Sequence, residues 1–394
     1  MLSIGIYTYS TKPRGSVVHA MSLAEALVAA GHNATLYALG KPGTSIYRQL
    51  ACPVELIPAA TAPADDEALI RQRIEEFAHG FRRLAMRHDI FHAQDCLSAN
   101  ALLATRSPGS APIVRTVHHV ETFASAYLAD CQRRSICDAD AVLSVSHLTR
   151  KNVLEQFGRS SLLVHNGVDT GRFAVRRSAD EQNLQRRFGV EPGDTIVLSV
   201  GGIEPRKNAL LALRAVTAAS AVAPRLRWII AGDHSIWDHS AYVARFEEEL
   251  EGLPNLSGRV VRAGTLPEEE MTSLYSMSDV LLCPSRDEGF GLCVLEAMAA
   301  GAAVVVPRRP PFTEYLDDDC AMFVDSDSVE SVSSALATIV LDPHRRSALA
   351  AKARSRSQRF TWSRSAAHHV DHYTAIRSHR PQPDDGNGTR VAHA

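Results

Sequence analysis

The stretch Ser278-Asp-Val-Leu-Leu-Cys-Pro-Ser-Arg-Asp-Glu-Gly-Phe-Gly-Leu-Cys-Val-Leu-Glu-Ala-Met-Ala-Ala-Gly301 constrains the fold more than any other part of the chain. Val280 to Cys283 is an apolar run short enough to be a buried parallel strand, and Pro284 stops it. A polar turn, Ser285 to Glu288, follows. Gly289 and Gly291 then open a segment in which Leu292, Leu295, Met298 and Ala299 have helical spacing, ended by Gly301. Strand, glycine-rich turn and helix in that order direct backbone N–H groups and the positive end of a helix dipole into one crevice, which suits an anion. Two carboxylates share the crevice, Glu288 in the turn and Glu296 in the helix. A carboxylate repels phosphate but accepts strong hydrogen bonds from hydroxyl groups. A ligand with phosphate in its middle and hydroxylated rings at both ends fits, as a nucleotide sugar does. On the glycines alone, a structural turn with two solvated glutamates fits equally well.

The rest of the chain alternates strand and helix. Ser3 to Thr8 reads as a strand, Val17 to Ala30 as a helix and Asn33 to Leu39 as a second strand, which is the opening of a parallel α/β sheet. The loop between the first two, with Lys12, Arg14, Gly15 and Ser16, lacks G-x-G-x-x-G, so an NAD-dependent oxidoreductase is a poor reading. The long helix Asp65 to His88 carries Arg71, Arg73, Arg82, Arg83 and Arg87. It reads as a solvated face whose basic excess suits an acidic acceptor or a membrane surface. Ligands in open α/β sheets bind beyond the carboxyl ends of strands, and His92 and His118 both fall there. His119 is the alternative to His118 if that loop is shifted by one residue. Leu162 to Asp169 ends in an Asn-Gly turn, and Thr170 to Asp194 reads as a linker.

A second α/β series begins at Thr195. The strand Ile196 to Val200 leads through Gly201-Gly-Ile-Glu-Pro-Arg-Lys-Asn208 into the helix 209–222. Cations are disfavoured at a helix N-terminus, so Arg206 and Lys207 there imply an anion. The helix end offers about half a positive charge, and the two side chains supply the rest, Arg206 as a planar fork and Lys207 as a point charge. Gly232-Asp-His234 and Gly264-Thr-Leu-Pro267 are further strand-end loops suited to a base. A last helix runs from Phe360-Thr-Trp-Ser-Arg364 to about Arg377, with His368, His369 and His372 read as surface residues. The remainder, 378–394, has the composition of a disordered tail.

The chain has 394 residues, 45% of them hydrophobic and 22% charged, with a formal net charge of −2. That is enough apolar chain for two cores, and its charge gives no reason to expect nucleic acid. Seven cysteines without metal-ligand spacing suggest a reduced, cytoplasmic chain. No leader or membrane-spanning run is visible, so any membrane contact is expected to be peripheral, at the inner face.

Glu288-Gly-Phe-Gly-Leu-Cys-Val-Leu-Glu296 resembles the E-x7-E signature of retaining glycosyltransferases with the GT-B fold, in particular glycosyltransferase family 4 (glycosyl transferases group 1). Gly201-x-x-x-Pro-Arg-Lys207, Thr116-x-His118 and Asn166-Gly-Val-Asp169 match further family segments in the expected order, so the resemblance spans 1–377. It implies two Rossmann-like, doubly wound domains facing a central cleft. Residues 1–175 would form the acceptor side, 176–360 the donor side, and 361–377 a crossover helix returning to the first domain. It also implies transfer of a hexosyl unit from a nucleotide diphosphate sugar to an acceptor hydroxyl, with retention of configuration and no metal or other cofactor. Gly15 and Ser16 would line the donor, and Arg206, Lys207 and the backbone of 289–293 (Gly289, Phe290, Gly291, Leu292, Cys293) would hold the diphosphate. Glu288 would bind sugar hydroxyls, Glu296 the ribose, and His118 the sugar. The catalytic set implied is His118, Glu288, Arg206 and Lys207. No nucleophile is paired with a base, which points to front-face displacement with the leaving phosphate taking the acceptor proton. Ser16 stands where the family usually has a second glycine, and Gly202 where many members have arginine. Both departures favour the alternative, a catalytically inactive nucleotide-binding or scaffolding protein.

Overall fold

The apolar runs read as buried strands are covered on both faces. In the strand Ala303–Pro307, Val304 and Val306 enter one core while Ala303 and Val305 enter another. Such strands require helices on both sides, and the chain supplies them in alternation. The computed structural model describes residues 1–41, 43–84, 87–174, 178–232, 239–256 and 258–378. The expected boundary at 175/176, Asp233 and His234 of one strand-end loop, and the tail from 379 onward lie outside the described residues.

The first half runs β1 (Ser3–Thr8), α1 (Gly15–Ala29), β2 (Asn33–Gly40), β3 (Val54–Pro58), α2 (Asp66–Leu84) and β4 (Ile90–Ala93). It continues through α3 (Cys96–Ala104), β5 (Ile113–Val117), α4 (Ala126–Cys137), β6 (Ala141–Ser144), α5 (His147–Phe157) and β7 (Leu162–Leu163). Two connecting helices follow, α6 (Thr170–Ala174) and α7 (Ser178–Arg187). The second half runs β8 (Thr195–Val200), α8 (Ala209–Ser220), β9 (Leu226–Ala231), α9 (Ser240–Glu251), β10 (Val260–Gly264), α10 (Glu268–Met277) and β11 (Val280–Leu282). It closes with α11 (Leu292–Ala300), β12 (Ala303–Pro307), β13 (Met322–Val324), α12 (Val329–Leu341), α13 (Pro343–Ser357) and α14 (Trp362–Ser378).

The strands form two parallel sheets, ordered β3-β2-β1-β4-β5-β6-β7 and β10-β9-β8-β11-β12-β13. Each order reverses once, between β1 and β4 and between β8 and β11. Crevices open at such switch points, beyond the carboxyl ends of the strands. The two switch points face each other across one cleft.

The chain crosses between the halves twice, and the crossings touch. The Val168 N–H donates to the Phe360 carbonyl at 2.8 Å. A Cβ on Gly167 would lie 2.4 Å from the Trp362 nitrogen, so only glycine lets the two passages meet. Helix α14 then packs on α1, sending Trp362, Ala366 and Tyr373 into the first core.

That packing corrects two readings of histidines. His92 is fully buried, bonded to Thr116 Oγ1 and to the Tyr373 hydroxyl at 2.7 Å each, and not open to ligand. His369 is also fully buried rather than on the surface: its helix turns that face inward, with its ring 5.6 Å from that of His92 and 6.0 Å from that of His19. The alternating strand pattern marks a strand end as exposed to the crevice, but the returning helix, remote in sequence, covers it. Burial holds His19 down to about 4 against the hydrogen bond that its Nδ1 donates to Asn166 Oδ1, and holds His369 down to about 3, with His19 adding to the effect. Their Nε2 atoms have no hydrogen-bond partner among the described residues.

These rings are neutral in the native protein, whereas in the unfolded chain they take up protons below their ordinary value of 6.5. The unfolded state then binds more protons, so stability is full above pH 6.5 and falls toward pH 4 for His19 and pH 3 for His369. The expected loss approaches about 1.4 kcal/mol per pH unit for each ring. Urea midpoints measured from pH 7.5 to 5 should show it, and His369→Phe, which keeps an aromatic ring that cannot be protonated, should flatten the slope. An unchanged slope would remove His369 from the account.

Candidate functional site

At the second switch point, β11 ends at Leu282, just before Pro284, and the turn carries Glu288 back toward the loop after β8. Arg206 Nη1 donates to Glu288 Oε2 at 2.9 Å and to the Asp287 carbonyl at 3.1 Å. Lys207 Nζ donates to Glu288 Oε1. Burial would raise the Glu288 carboxyl, but Lys207 and Arg206 outweigh it and hold it at about 2. Burial would likewise lower Lys207, and Glu288 more than reverses it. Glu204, itself buried, lies 3.8 Å from Arg206. The cations before α8 thus have an internal counter-anion. Expected from sequence as free charges awaiting a phosphate, they are held by the carboxylate that was assigned to the sugar.

Glu296, one turn into α11, accepts from the Tyr275 hydroxyl at 2.7 Å. Burial raises its carboxyl, with that hydrogen bond opposing. Tyr275 takes one carboxylate oxygen, and Glu296 borders the cleft.

The first half supplies the opposite wall. His118, just past β5, directs Nε2 to Gln94 Oε1 at 2.9 Å, and its ring is 4.7 Å from that of His19. Burial and the neighbouring His19, Arg115, His92 and His369 hold it well below the usual histidine range, so it is neutral. Gly15 and Ser16 form the first turn of α1. A Cβ on Gly15 would meet nothing within 4 Å, because the cleft lies in front of it.

Gly289 borders the cleft and also has a packing task that its local sequence does not announce. A Cβ there would lie 1.6 Å from the His118 carbonyl oxygen, so the glycine is required by contact between the two halves. Phe290 is 3% exposed; its ring stacks on Tyr315 at 5.0 Å and its carbonyl accepts from the Tyr315 hydroxyl. It packs the wall of the cleft rather than presenting its ring to a ligand. Leu292 and Cys293 lie at the first turn of α11 and line the cleft.

The residues assigned from sequence to the donor and catalytic sets all border one cleft of about 560 Å³, and His92 does not. Contacts between the halves at or near the cleft had no sequence signal. Tyr47 donates to the Leu266 carbonyl at 3.1 Å, and Arg48 joins Glu25 at 2.5 Å to Glu268 at 3.0 Å, a clasp between the halves. Arg172 reaches the same Glu268 at 2.8 Å. Glu314 accepts from the N–H groups of His147 and Leu148 at 2.8 Å each, so one half caps a helix of the other. The pairings between the halves join residues 96 to 220 positions apart, and no local pattern announces them. The basic helix α2 is only partly a solvated face: Arg73 is buried against Glu76. Among the described residues, no helix is long and apolar enough to cross a membrane.

Two doubly wound parallel domains meeting at their switch points define a GT-B fold, and the comparisons agree. The chain superposes on sucrose-phosphate synthase from Thermosynechococcus elongatus with a TM-score of 0.79, at 21% identity over 96% of this chain and all of that one. It superposes on Anabaena HepE, in complex with UDP and glucose, with a TM-score of 0.77, at 18% identity over 95% of this chain and all of that one. The description Glycosyltransferase Family 4 matches residues 13–172, and Glycosyl transferases group 1 matches 180–356. The chain is 30% identical over 289 residues to the GDP-mannose-dependent alpha-(1-6)-phosphatidylinositol monomannoside mannosyltransferase of Mycolicibacterium smegmatis, covering 69% of this chain and 73% of the relative. It is 26% identical to the D-inositol 3-phosphate glycosyltransferase of Rhodococcus jostii over 82% of this chain and 74% of the relative. The chain belongs to glycosyltransferase family 4.

Because the Gly289 contact has no room for a methyl group, Gly289→Ala must push the halves apart or displace the His118 loop. The expected cost is about 1–3 kcal/mol, seen as a lower melting temperature with an increased radius of gyration in small-angle scattering. An unchanged melting temperature and scattering profile would show that the contact does not set the closure.

Proposed function

We propose that the protein transfers a hexosyl unit from a nucleotide diphosphate sugar to an acceptor hydroxyl, with retention of configuration and without a metal ion. The observation that carries this reading is Glu288 held between Arg206 and Lys207 where the two switch points face. A carboxylate accepts up to four hydrogen bonds, and the two cations have further N–H donors to spare. One face of the cluster suits sugar hydroxyls and the other suits phosphate oxygens, so the sugar–phosphate bond belongs at this junction. The names of the relatives support it: one is GDP-mannose-dependent, and HepE was solved with UDP and glucose.

In the reaction, the bond from the anomeric carbon to the diphosphate oxygen breaks and its electron pair stays with the diphosphate. Arg206, Lys207 and the first turn of α11 stabilise that charge as it grows. The acceptor oxygen attacks the same face of the sugar, and its proton passes to the leaving phosphate. His118 orients the sugar from the opposite wall, and Glu296 takes the ribose hydroxyls.

The test is calorimetry and product detection across UDP-, GDP- and ADP-sugars, with Glu288→Ala alongside. One donor should bind at micromolar concentration and be slowly hydrolysed by the wild type. Glu288→Ala should lower turnover by roughly 10²–10³-fold, the scale of losing a preorganised electrostatic group, while circular dichroism stays unchanged. Wild-type turnover in Glu288→Ala would overturn the assignment. Binding without hydrolysis or transfer, also in the presence of candidate acceptors, would favour the inactive nucleotide-binding alternative.

A further inference from the structure

Gln94 follows β4 at the first switch point, is 1% exposed, and is fixed by its N–H, which donates to the Tyr7 carbonyl at 2.9 Å. Its side chain lies between two histidines. Nε2 of the amide is 3.3 and 3.4 Å from the two ring nitrogens of His92, and Oε1 is 2.9 Å from Nε2 of His118. The ring nitrogens of His92 are already engaged, one with Thr116 and the other with Tyr373 of α14. What His92 offers the amide is its electron-rich face, which suits the NH₂ end. The reverse orientation would set the carbonyl oxygen against that face. The amide therefore has one good orientation, with its oxygen toward His118.

An amide oxygen only accepts, so the Nε2 of His118 carries the hydrogen. The ring is surrounded by His19, His92, His369 and Arg115, none of which favours a second proton. A neutral imidazole has one N–H, and the other nitrogen keeps its lone pair. We infer that Gln94 is a positioning residue for His118: it fixes the Nε2–H tautomer, so that Nδ1 meets the ligand as a hydrogen-bond acceptor for a hydroxyl group. The ligand half of this inference rests on the role proposed for His118 above. It narrows that role, because a ring in this tautomer takes a hydrogen bond from a sugar hydroxyl and cannot donate one to a phosphate. The anionic end of the donor is left to Arg206 and Lys207. Through His92 the amide is anchored to Tyr373, so the crossover helix is the far end of the same chain of contacts.

Long-range 1H–15N spectra of protein labelled in histidine test this directly, with His118 assigned by its loss in His118→Phe. The wild type should show protonated Nε2 and bare Nδ1. Gln94→Leu should give mixed tautomers and a roughly tenfold loss of donor affinity, the scale of one buried hydrogen bond. Gln94→Glu keeps an acceptor oxygen, so it should restore the Nε2–H form and recover affinity at high pH. Its carboxylate would raise the ring's affinity for a proton, so donor affinity should fall as pH is lowered, a dependence absent from the wild type. A wild-type spectrum with Nδ1 protonated, or an unmixed Nε2–H tautomer in Gln94→Leu, would overturn the inference. If the tautomers respond as expected while neither Gln94→Leu nor His118→Phe changes donor affinity, Gln94 sets the ring and the role proposed for His118 fails.

Discussion

The ion cluster of Glu288, Arg206 and Lys207 sets the terms for the rest of the cleft. A buried carboxylate costs several kcal/mol unless it is paired, and here two cations answer it while Glu204 lies beside Arg206. Two positive and two negative groups leave the cluster close to neutral. Loop placement follows from this. The turn after β11 and the loop after β8 must converge for the pairs to form, and the Arg286 N–H donating to the Arg206 carbonyl at 2.9 Å ties them directly. Both loops leave neighbouring strands at a switch point, so the sheet order is what makes the cluster possible.

The contacts between the halves are gathered around this site. Gly289 against the His118 carbonyl, Glu314 on the N-terminus of α5, and the clasp from Arg48 to Glu268 each engage an element that borders the cleft or lies beside it. Charged and backbone contacts of this kind are more reversible than a broad apolar interface, because each partner can exchange back to water at modest net cost. The more permanent attachment is elsewhere, where α14 buries Trp362, Ala366 and Tyr373 in the first core. Relative movement of the halves would therefore pivot near the Gly167 crossing and open the polar contacts first.

The local parts of this arrangement were legible in the sequence. Strand, turn and helix at 280–300 and the basic pair at 206–207 each follow from short-range patterning, because each depends on residues within one supersecondary unit, whereas His118 stands out from a strand-capping histidine only through the family resemblance. What was not legible depends on which units meet. Nothing near Gly289 announces the His118 carbonyl that leaves no room for a side chain there. Nothing near Glu288 announces that its partners are 81 and 82 positions away. His92 and His369 misled for the same reason: the hydrophobic pattern of one strand or helix does not say that Tyr373 of a returning helix will close over it.

Charge is divided between the walls of the cleft in a way that bears on the proposed reaction. The second half brings Arg206, Lys207 and the ionised Glu288. The first half brings Lys12 and Arg14 beside the start of α1, and a histidine, His118, that burial and its neighbours, Arg115 among them, keep neutral. In a displacement at an anomeric carbon, negative charge grows on the leaving diphosphate while positive charge grows on the sugar. A protonated ring facing the sugar would oppose the second change, whereas a neutral acceptor does not. On the proposed reading the cations would sit where the first change occurs, with ionised Glu288 between the two centres, able to favour both. The crowd of buried histidines that lowers acid stability is thus the same environment that keeps the His118 ring uncharged where it borders the cleft.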